Sequence, residues 1–501
     1  MKTFAHLGLL TKSIAWLACA TTAQAAEPLG FDNARHLLNR TSFAASSAEI
    51  ADFATLTPNA AVDRLLSGRV IVAKTPLPDW ANTYERVFRP TMTQEERNQA
   101  NRRELVVRGL EMRTWWITEM LATGSPFSEK MTLFWHNHFA TGQEKVRSAT
   151  LLVRQNQILR KHALGNFGAM LRDVSKDPAM LIYLDQAQSR KGTPNENFAR
   201  EVMELFTLGE GNYSEQDIKE AARALTGWSV DIDLGEFRYR PTQHDAASKT
   251  LFSQKGNYSG DDVITMLLQR PETAEFVVKK LMREFVSPTP DAAEAKRLAT
   301  IFRDAKYEIG PLMLAMLSAP AFYAQENHAT LVKSPVDLVV GTLRQFKFEV
   351  HDAAPFAVLT RQLGQDLFQP PNVKGWPGGE VWINTNTLLA RKGFLNRLFR
   401  ENEMSGTMPA AFDQTMAMSD SGRNRAQARL AMRPEQRGSL QGQFNFDSRK
   451  FLSDFSSKAN MMADDTLTRT VLAGAPVQVE KAEPTLAGLR ALVLDPIYQL
   501  K

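Results

Sequence analysis

The chain has 501 residues, of which 43% are hydrophobic and 23% charged, and a formal net charge of +5. Such a composition suits a soluble globular protein of two to four domains, with a core large enough to need neither disulfide nor metal. The small basic excess is spread over charges of both signs, so it gives no clustered basic face for nucleic acid.

In chain order, the first element is a targeting segment. Lys2 and Lys12 precede an apolar run from Ser13 to Ala20, and Ala23-Gln24-Ala25 offers a small-x-small cleavage site. Cleavage is expected after Ala25, with Ala26 as the near alternative. The expected destination is the periplasm or the medium. The only cysteine, Cys19, falls inside this segment. It could accept a lipid, but Trp16 stands where Leu is usual, so an anchored form is the lesser expectation. The mature chain then carries no thiol, which excludes thiol catalysis and zinc–thiolate sites. No later stretch is long and apolar enough to span a bilayer.

Amphipathic helical patterns recur over 105–121, 150–171, 261–268, 272–285, 293–304, 311–318, 335–347 and 386–399. Ser125-Pro126 reads as an N-cap followed by Pro at the first helical position, with Phe127, Met131, Phe134 and His138 on one face. Asn195 caps a helix from Glu196 whose inner stripe is Phe198, Val202 and Leu205. Ser214 and Asp217 resemble a capping box for a helix that runs to about Thr226 and stops at Gly227. Trp228–Ile232 and Phe237–Tyr239 alternate around a turn and predict one small β-hairpin. Asp231-x-Asp233-x-Gly235 in that turn lacks the remaining ligands of a calcium loop and reads as turn chemistry. Residues 365–384, with Pro370-Pro371, Gly375-Trp376-Pro377 and Gly378-Gly379, form a turn-rich loop. Residues 403–447 lack a sustained period, and their Arg423, Arg425, Arg429, Arg433 and Arg437 suit a solvated face or contact with an acidic surface. Residues 484–500 are periodic again. The expected organisation is a signal peptide at 1–25, a helical domain at 26–402, a low-order polar segment at 403–483 and a helix at 484–501 that packs back. The expected fold is an all-α multi-helix array with one hairpin excursion.

Several segments carry a family resemblance. They are His36-Leu37-Leu38-Asn39-Arg40, Phe134-Trp135-His136-Asn137-His138-Phe139, Asn195-Glu196-Asn197-Phe198-Ala199-Arg200-Glu201 with Glu204-Leu205-Phe206-Thr207-Leu208-Gly209, and Ala221-Ala222-Arg223-Ala224-Leu225-Thr226-Gly227-Trp228. His244-Asp245, Lys333-Ser334-Pro335 and Pro370-Pro371-Asn372-Val373-Lys374-Gly375-Trp376-Pro377 complete the set. In this order they make the chain resemble the bacterial domain-of-unknown-function-1800 family from about residue 30 to about 400. The resemblance implies an exported helical protein without an established activity. It also implies a working partner, a second exported family related to arylsulfatases. One departure is Ala247, where the family has Gly; a tight turn there would put a role for His244 in doubt.

The candidate site residues come largely from these segments. His136 and His138 point to opposite sides of a helix, so they could share a divalent metal only if the helix ends between them. Against that, a His on an apolar stripe is usually hydrogen-bonded within the core. Glu196, Arg200 and Glu204 are spaced for a salt-bridge ladder. Glu201 and Glu204 at i, i+3 could serve as acid and base or bind a divalent ion with a nearby His. They could equally pair with Arg200 and Arg223 as buried carboxylates. Asn195, Glu196 and Asn197 could offer amides to an anion, or Asn195 could simply cap its own helix. His244 beside Asp245 could activate a nucleophile, although no serine elbow exists. Trp376 and Trp382 either stack on a sugar or partner or plug the helical core. Two functions remain: a non-catalytic binding or assembly factor working with an exported arylsulfatase-like hydrolase or an envelope glycan, and a metal-dependent periplasmic hydrolase using His136, His138, Glu201, Glu204 and His244.

Overall fold

The computed structural model describes residues 27–400, 444–455, 463–479 and 482–501. The described chain is mostly α-helical, with three two-stranded antiparallel pairs. None of its helices is long and apolar enough to cross a membrane. The proposed signal segment and Arg423–Arg437 lie outside the described residues.

Two apolar cores organise the helices. One runs from Leu29 to Phe322 and gathers Phe127, Met131, Trp135, Phe198, Val202 and Phe206. The other draws Trp116 and Leu133 together with Val336–Phe368 and the C-terminal Leu489, Leu492 and Tyr498. The helix Pro126–His138 contributes to both cores and is buried along nearly its whole length. Because it has almost no water face, its polar side chains need internal partners. Glu129 accepts both Nε and Nη2 of Arg160, at 2.6 and 2.9 Å, and the Trp116 indole N–H at 2.8 Å. Lys130 is bonded to Asp337 on the helix Pro335–Gln345. Ser125 does not cap as expected; its hydroxyl instead pairs with Ser128 Oγ at 2.9 Å.

Most expected helices form, and the departures have physical causes. The run 150–171 is two helices, Ala149–His162 and Phe167–Ser175, because Gly165 interrupts it and Asn166 caps the second through the Ala169 amide. Ser214 and Asp217 do close a capping box. The predicted hairpin forms as Trp228–Asp231 with Glu236–Tyr239. Its turn carboxylates are spent locally: Asp231 accepts the amides of Asp233 and Leu234, and Asp233 pairs with Arg86 at 2.9 Å.

Two further strand pairs correct the one-hairpin expectation. Lys249–Leu251 pairs with Gln254–Gly256 through Phe252 and Ser253, both at positive φ (48° and 63°). That turn lacks the Asn-Gly signal that marks such geometry. Glu349–Val350 pairs with Phe444–Asn445 across a long separation, which no local pattern encodes. The segment expected to be low-order at 403–483 is structured where described. Ser448–Ser453 and Ala463–Val471 are helical, with Phe444, Phe451, Phe455, Leu467 and Val471 buried in the second core. Phe451 and Phe455, like Leu467 and Val471, stand four residues apart, but each pair spans a single turn among polar residues, too short a run to mark a helix. The helix Leu486–Leu494 packs on Thr385–Leu398.

The Glu129–Arg160 pair yields a test. Arg160→Met should lower stability by about 3–5 kcal/mol, because it strands a buried carboxylate. The double change Glu129→Gln with Arg160→Met should recover much of that loss. Urea unfolding of the single and double variants measures both.

Candidate functional site

The His136-Asn137-His138 segment ends its helix at Phe139, and its side chains diverge to grip three different pieces of backbone. His136 Nε2 accepts the Phe368 amide at 3.0 Å. Asn137 Oδ1 accepts the Trp376 amide at 2.7 Å, and its Nδ2 donates to the Trp376 carbonyl at 3.2 Å. His138 Nε2 meets the Phe206 carbonyl at 3.1 Å. Burial, aided by Arg113, holds His136 down to about 3, and burial with Lys280 nearby keeps His138 well below the usual histidine range. Both rings are therefore neutral at physiological pH.

Gly375 makes the Asn137 grip possible. It sits at φ 80°, and a Cβ there would lie 2.2 Å from Asn137 Oδ1. Asn137 thus fastens residues 370–377 to the end of the helix. Trp376 turns inward, 5% exposed, with its ring centroid 5.8 Å from that of His136. Trp382 is also buried. Neither ring is offered to solvent for stacking on a sugar or a partner.

The Asn-Glu-Asn motif is pinned in the same manner. Asn195 Oδ1 accepts the Asn197 amide at 2.9 Å, while its Nδ2 reaches the Asp185 carbonyl and Asn197 Nδ2 reaches the Leu184 carbonyl, both at 3.3 Å. The helix Glu196–Glu201 is short and self-capped, so the anion reading of its start has no support. It continues as a π-helical turn, Val202–Thr207. The wider turn adds a residue and rotates the side chains after it. Phe206 enters the core where the regular period placed Leu205, which is only partly buried. The bulge also brings the Phe206 carbonyl to His138, leaving regular periodicity unable to foresee that contact.

Glu201 and Glu204 stand on the outer side of this helix, partly buried. Burial and the neighbouring Glu204 raise the Glu201 carboxyl, against the pull of Lys374 and Arg200. Glu204 accepts the Tyr213 hydroxyl at 2.7 Å and lies 3.9 Å from Lys374 Nζ, which also approaches Glu210 at 3.7 Å. Lys374 belongs to the loop that Asn137 fastens. Neither Tyr213 nor the bridging role of Lys374 was legible from spacing; a tertiary contact sets both.

The remaining candidates are placed elsewhere. Arg200 forms a two-point bridge to Glu215, both contacts at 2.8 Å, with Glu196 at 3.6 Å. Arg223 pairs with Asp245 at 2.7 Å and Glu220 at 2.9 Å. Neither arginine pairs with Glu201 or Glu204, which corrects that expectation. His244 Nδ1 meets the Thr226 carbonyl at 3.0 Å, and the Asp245 amide donates to Thr226 Oγ1 at 2.8 Å. The His-Asp turn is thus docked on Thr226-Gly227. Asp245 Oδ1 caps the Ala247 amide without a positive φ at Ala247, so glycine is not required there. Among the described residues no group of three or more His, Cys, Asp or Glu side chains is placed to hold a metal ion. His136, His138, Glu201, Glu204 and His244 form no such group, and the Nε2 atoms of His136 and His138 are turned to separate backbone groups.

A family model described as Protein of unknown function (DUF1800) matches residues 36–500. No curated protein and no solved structure matches the chain.

Two measurements check this geometry. Gly375→Ala should cost at least about 1 kcal/mol more than Gly378→Ala, since both sites have positive φ but only the first meets Asn137. Buried Asp177 is raised to about 7, its Oδ2 accepting the Met180 amide and the Gln155 side chain while Oδ1 has no partner. Its folded value lies above the unfolded one, so the folded state holds the proton more tightly and this group's contribution to stability falls as pH rises from about 4 to about 7. Asp177→Asn should remove that fall, gaining about 1 kcal/mol or more over wild type at pH 8 relative to pH 4 in urea unfolding.

Proposed function

We propose a function from one premise: the chain belongs to the DUF1800 family of proteins of unknown function. On this reading it is an exported binding or assembly factor of the cell envelope, working with an exported arylsulfatase-like hydrolase. Its docking face is the charged surface of Glu201, Glu204, Glu210 and Lys374 with Tyr213. One observation carries the reading. The motif side chains His136, Asn137, His138, Asn195 and Asn197 each place a polar atom on a backbone group of a neighbouring segment. They act as fasteners that hold a charged face in one shape, which suits recognition because less ordering is needed on binding. The basic start, apolar run and Ala23-Gln24-Ala25 support export.

A second reading rests on Glu201. A carboxyl raised by burial beside a second carboxylate that accepts a tyrosine hydroxyl is the arrangement of an acid–base pair. It would make the same face a hydrolytic site on an envelope glycan.

The mature chain immobilised in periplasmic extract should capture an arylsulfatase-like hydrolase, identified by mass spectrometry. Lys374→Glu should reduce that capture by about tenfold, a loss of roughly 1.4 kcal/mol, with the unfolding midpoint unchanged. Equal capture by wild type and Lys374→Glu, or recovery of no such hydrolase, overturns the docking reading. Glycan turnover that Glu201→Gln abolishes would favour the second.

A further inference from the structure

The helix Pro335–Gln345 begins in a part of the interior where positive charge exceeds negative. Lys130, Lys333, Lys501, Arg40 and Arg391 are all buried there, and the field of Asp337 reaches all five. Two side-chain carboxylates answer them. Asp337 is bonded to Lys130 and, at 2.7 Å, to Lys501 Nζ. Glu284 accepts from Lys501 at 3.1 Å and lies 4.0 Å from Lys130. Both acids are therefore committed to Lys130 and Lys501. Among the described residues no carboxylate forms an ion pair with Lys333 or Arg391.

These two cations share one small region. Arg391 donates Nη1 to Gln499 Oε1 at 3.1 Å and Nη2 to the Lys333 carbonyl at 3.0 Å, while its Nε has no acceptor. Turning its oxygen to Arg391 leaves the Gln499 amide nitrogen, Nε2, also buried without an acceptor. The Lys333 ammonium lies 3.8 Å from the centroid of the Tyr498 ring, and Lys333 N–H donates to the Gln499 carbonyl at 2.8 Å. Burial pushes the Lys333 ammonium down to about 7. The positive end of the 11-residue helix adds to the same field. Its amides are already engaged: Ser334 Oγ takes the Asp337 amide, and Gln365 Oε1 takes the Val336 amide. The free donors are thus Arg391 Nε and Gln499 Nε2, on side chains from the helix Thr385–Leu398 and the turn Pro496–Gln499 that both adjoin the Lys333 turn. A buried cation with no counter-charge is costly, and so is each buried N–H with no acceptor.

We propose that Lys333, Arg391 and Gln499 form an interior site for one compact anion, between chloride and sulfate in size, which neutralises the uncompensated cations and accepts the free N–H groups. It ties three chain segments together and lies apart from the Glu201–Lys374 face.

Thermal unfolding of the mature full chain, dialysed into sodium gluconate, provides the test. Gluconate is replaced stepwise by chloride, sulfate or phosphate at constant ionic strength. The unfolding midpoint should rise saturably with one of these anions, as expected for a ligand that binds only the folded state. The anion that saturates at the lowest concentration identifies the size class. Lys333→Met keeps an unbranched apolar stem against Tyr498 and should raise the half-saturating concentration by about tenfold. Gln499→Glu keeps one oxygen on Arg391 and puts a second in place of the unpartnered amide nitrogen. It should raise the midpoint in gluconate and flatten the response to added anion. Identical midpoints in all four salts would overturn the site. So would a linear rise shared by both variants, or a Gln499→Glu chain that responds as wild type does.

Discussion

A helix with almost no water face governs this protein. Pro126–His138 runs between two cores, yet it carries Ser128, Glu129, Lys130, Thr132, His136, Asn137 and His138. Each of those side chains would cost several kcal/mol if buried without a partner, at the upper end of about 2–7 kcal/mol for neutral groups and more for charges. Thr132 turns back to the Ser128 carbonyl of its own helix, and most of the others fix something else. Glu129 fixes Arg160 and Trp116, Lys130 fixes the start of the helix Pro335–Gln345, and the last three residues fix two loops and a neighbouring helix. The polar face that a surface helix would give to water is here given to other parts of the chain.

This explains why the family motifs look catalytic in sequence and architectural in space. Histidine and asparagine combine donor and acceptor atoms on a short, rigid side chain, which suits them to close the exposed amides and carbonyls of irregular backbone. Asn137 does so for both polar groups of Trp376, and glycine at 375 is what lets the two backbones approach. The π-turn at Val202–Thr207 serves the same end by presenting the Phe206 carbonyl to His138. In the proposed reading, the docking face is made of the flanking carboxylates, Lys374 and Tyr213.

Charge is distributed by the same logic. Exposed pairs such as Arg200–Glu215 are open to solvent and contribute little to stability. Interior charges are paired closely, as at Glu129–Arg160. The region around Lys333 and Arg391 departs from this, because its acids are already engaged by Lys130 and Lys501. A cation excess held in the interior has a structural consequence that a surface cluster would not have, since water cannot screen it.

The sequence by itself determined the helical class, most helix positions, the first hairpin, the Ser214–Asp217 capping box and the family, because these depend on residues a few positions apart: apolar period, caps and motif order. It also singled out the motif residues, though not the contacts they make. Only tertiary structure decided that His136 and His138 part company, that Trp376 faces inward, that Arg223 answers Asp245 rather than Glu201 or Glu204, and that Lys374 meets Glu204. The π-turn shifted the inner stripe from Leu205 to Phe206, and the pairing of Glu349–Val350 with Phe444–Asn445 joined segments far apart in the chain. The physical reason is common to all of these. A polar side chain carries its hydrogen-bonding capacity in its own chemistry, but its partner is chosen by the packing of distant apolar faces, and no local spacing records that choice.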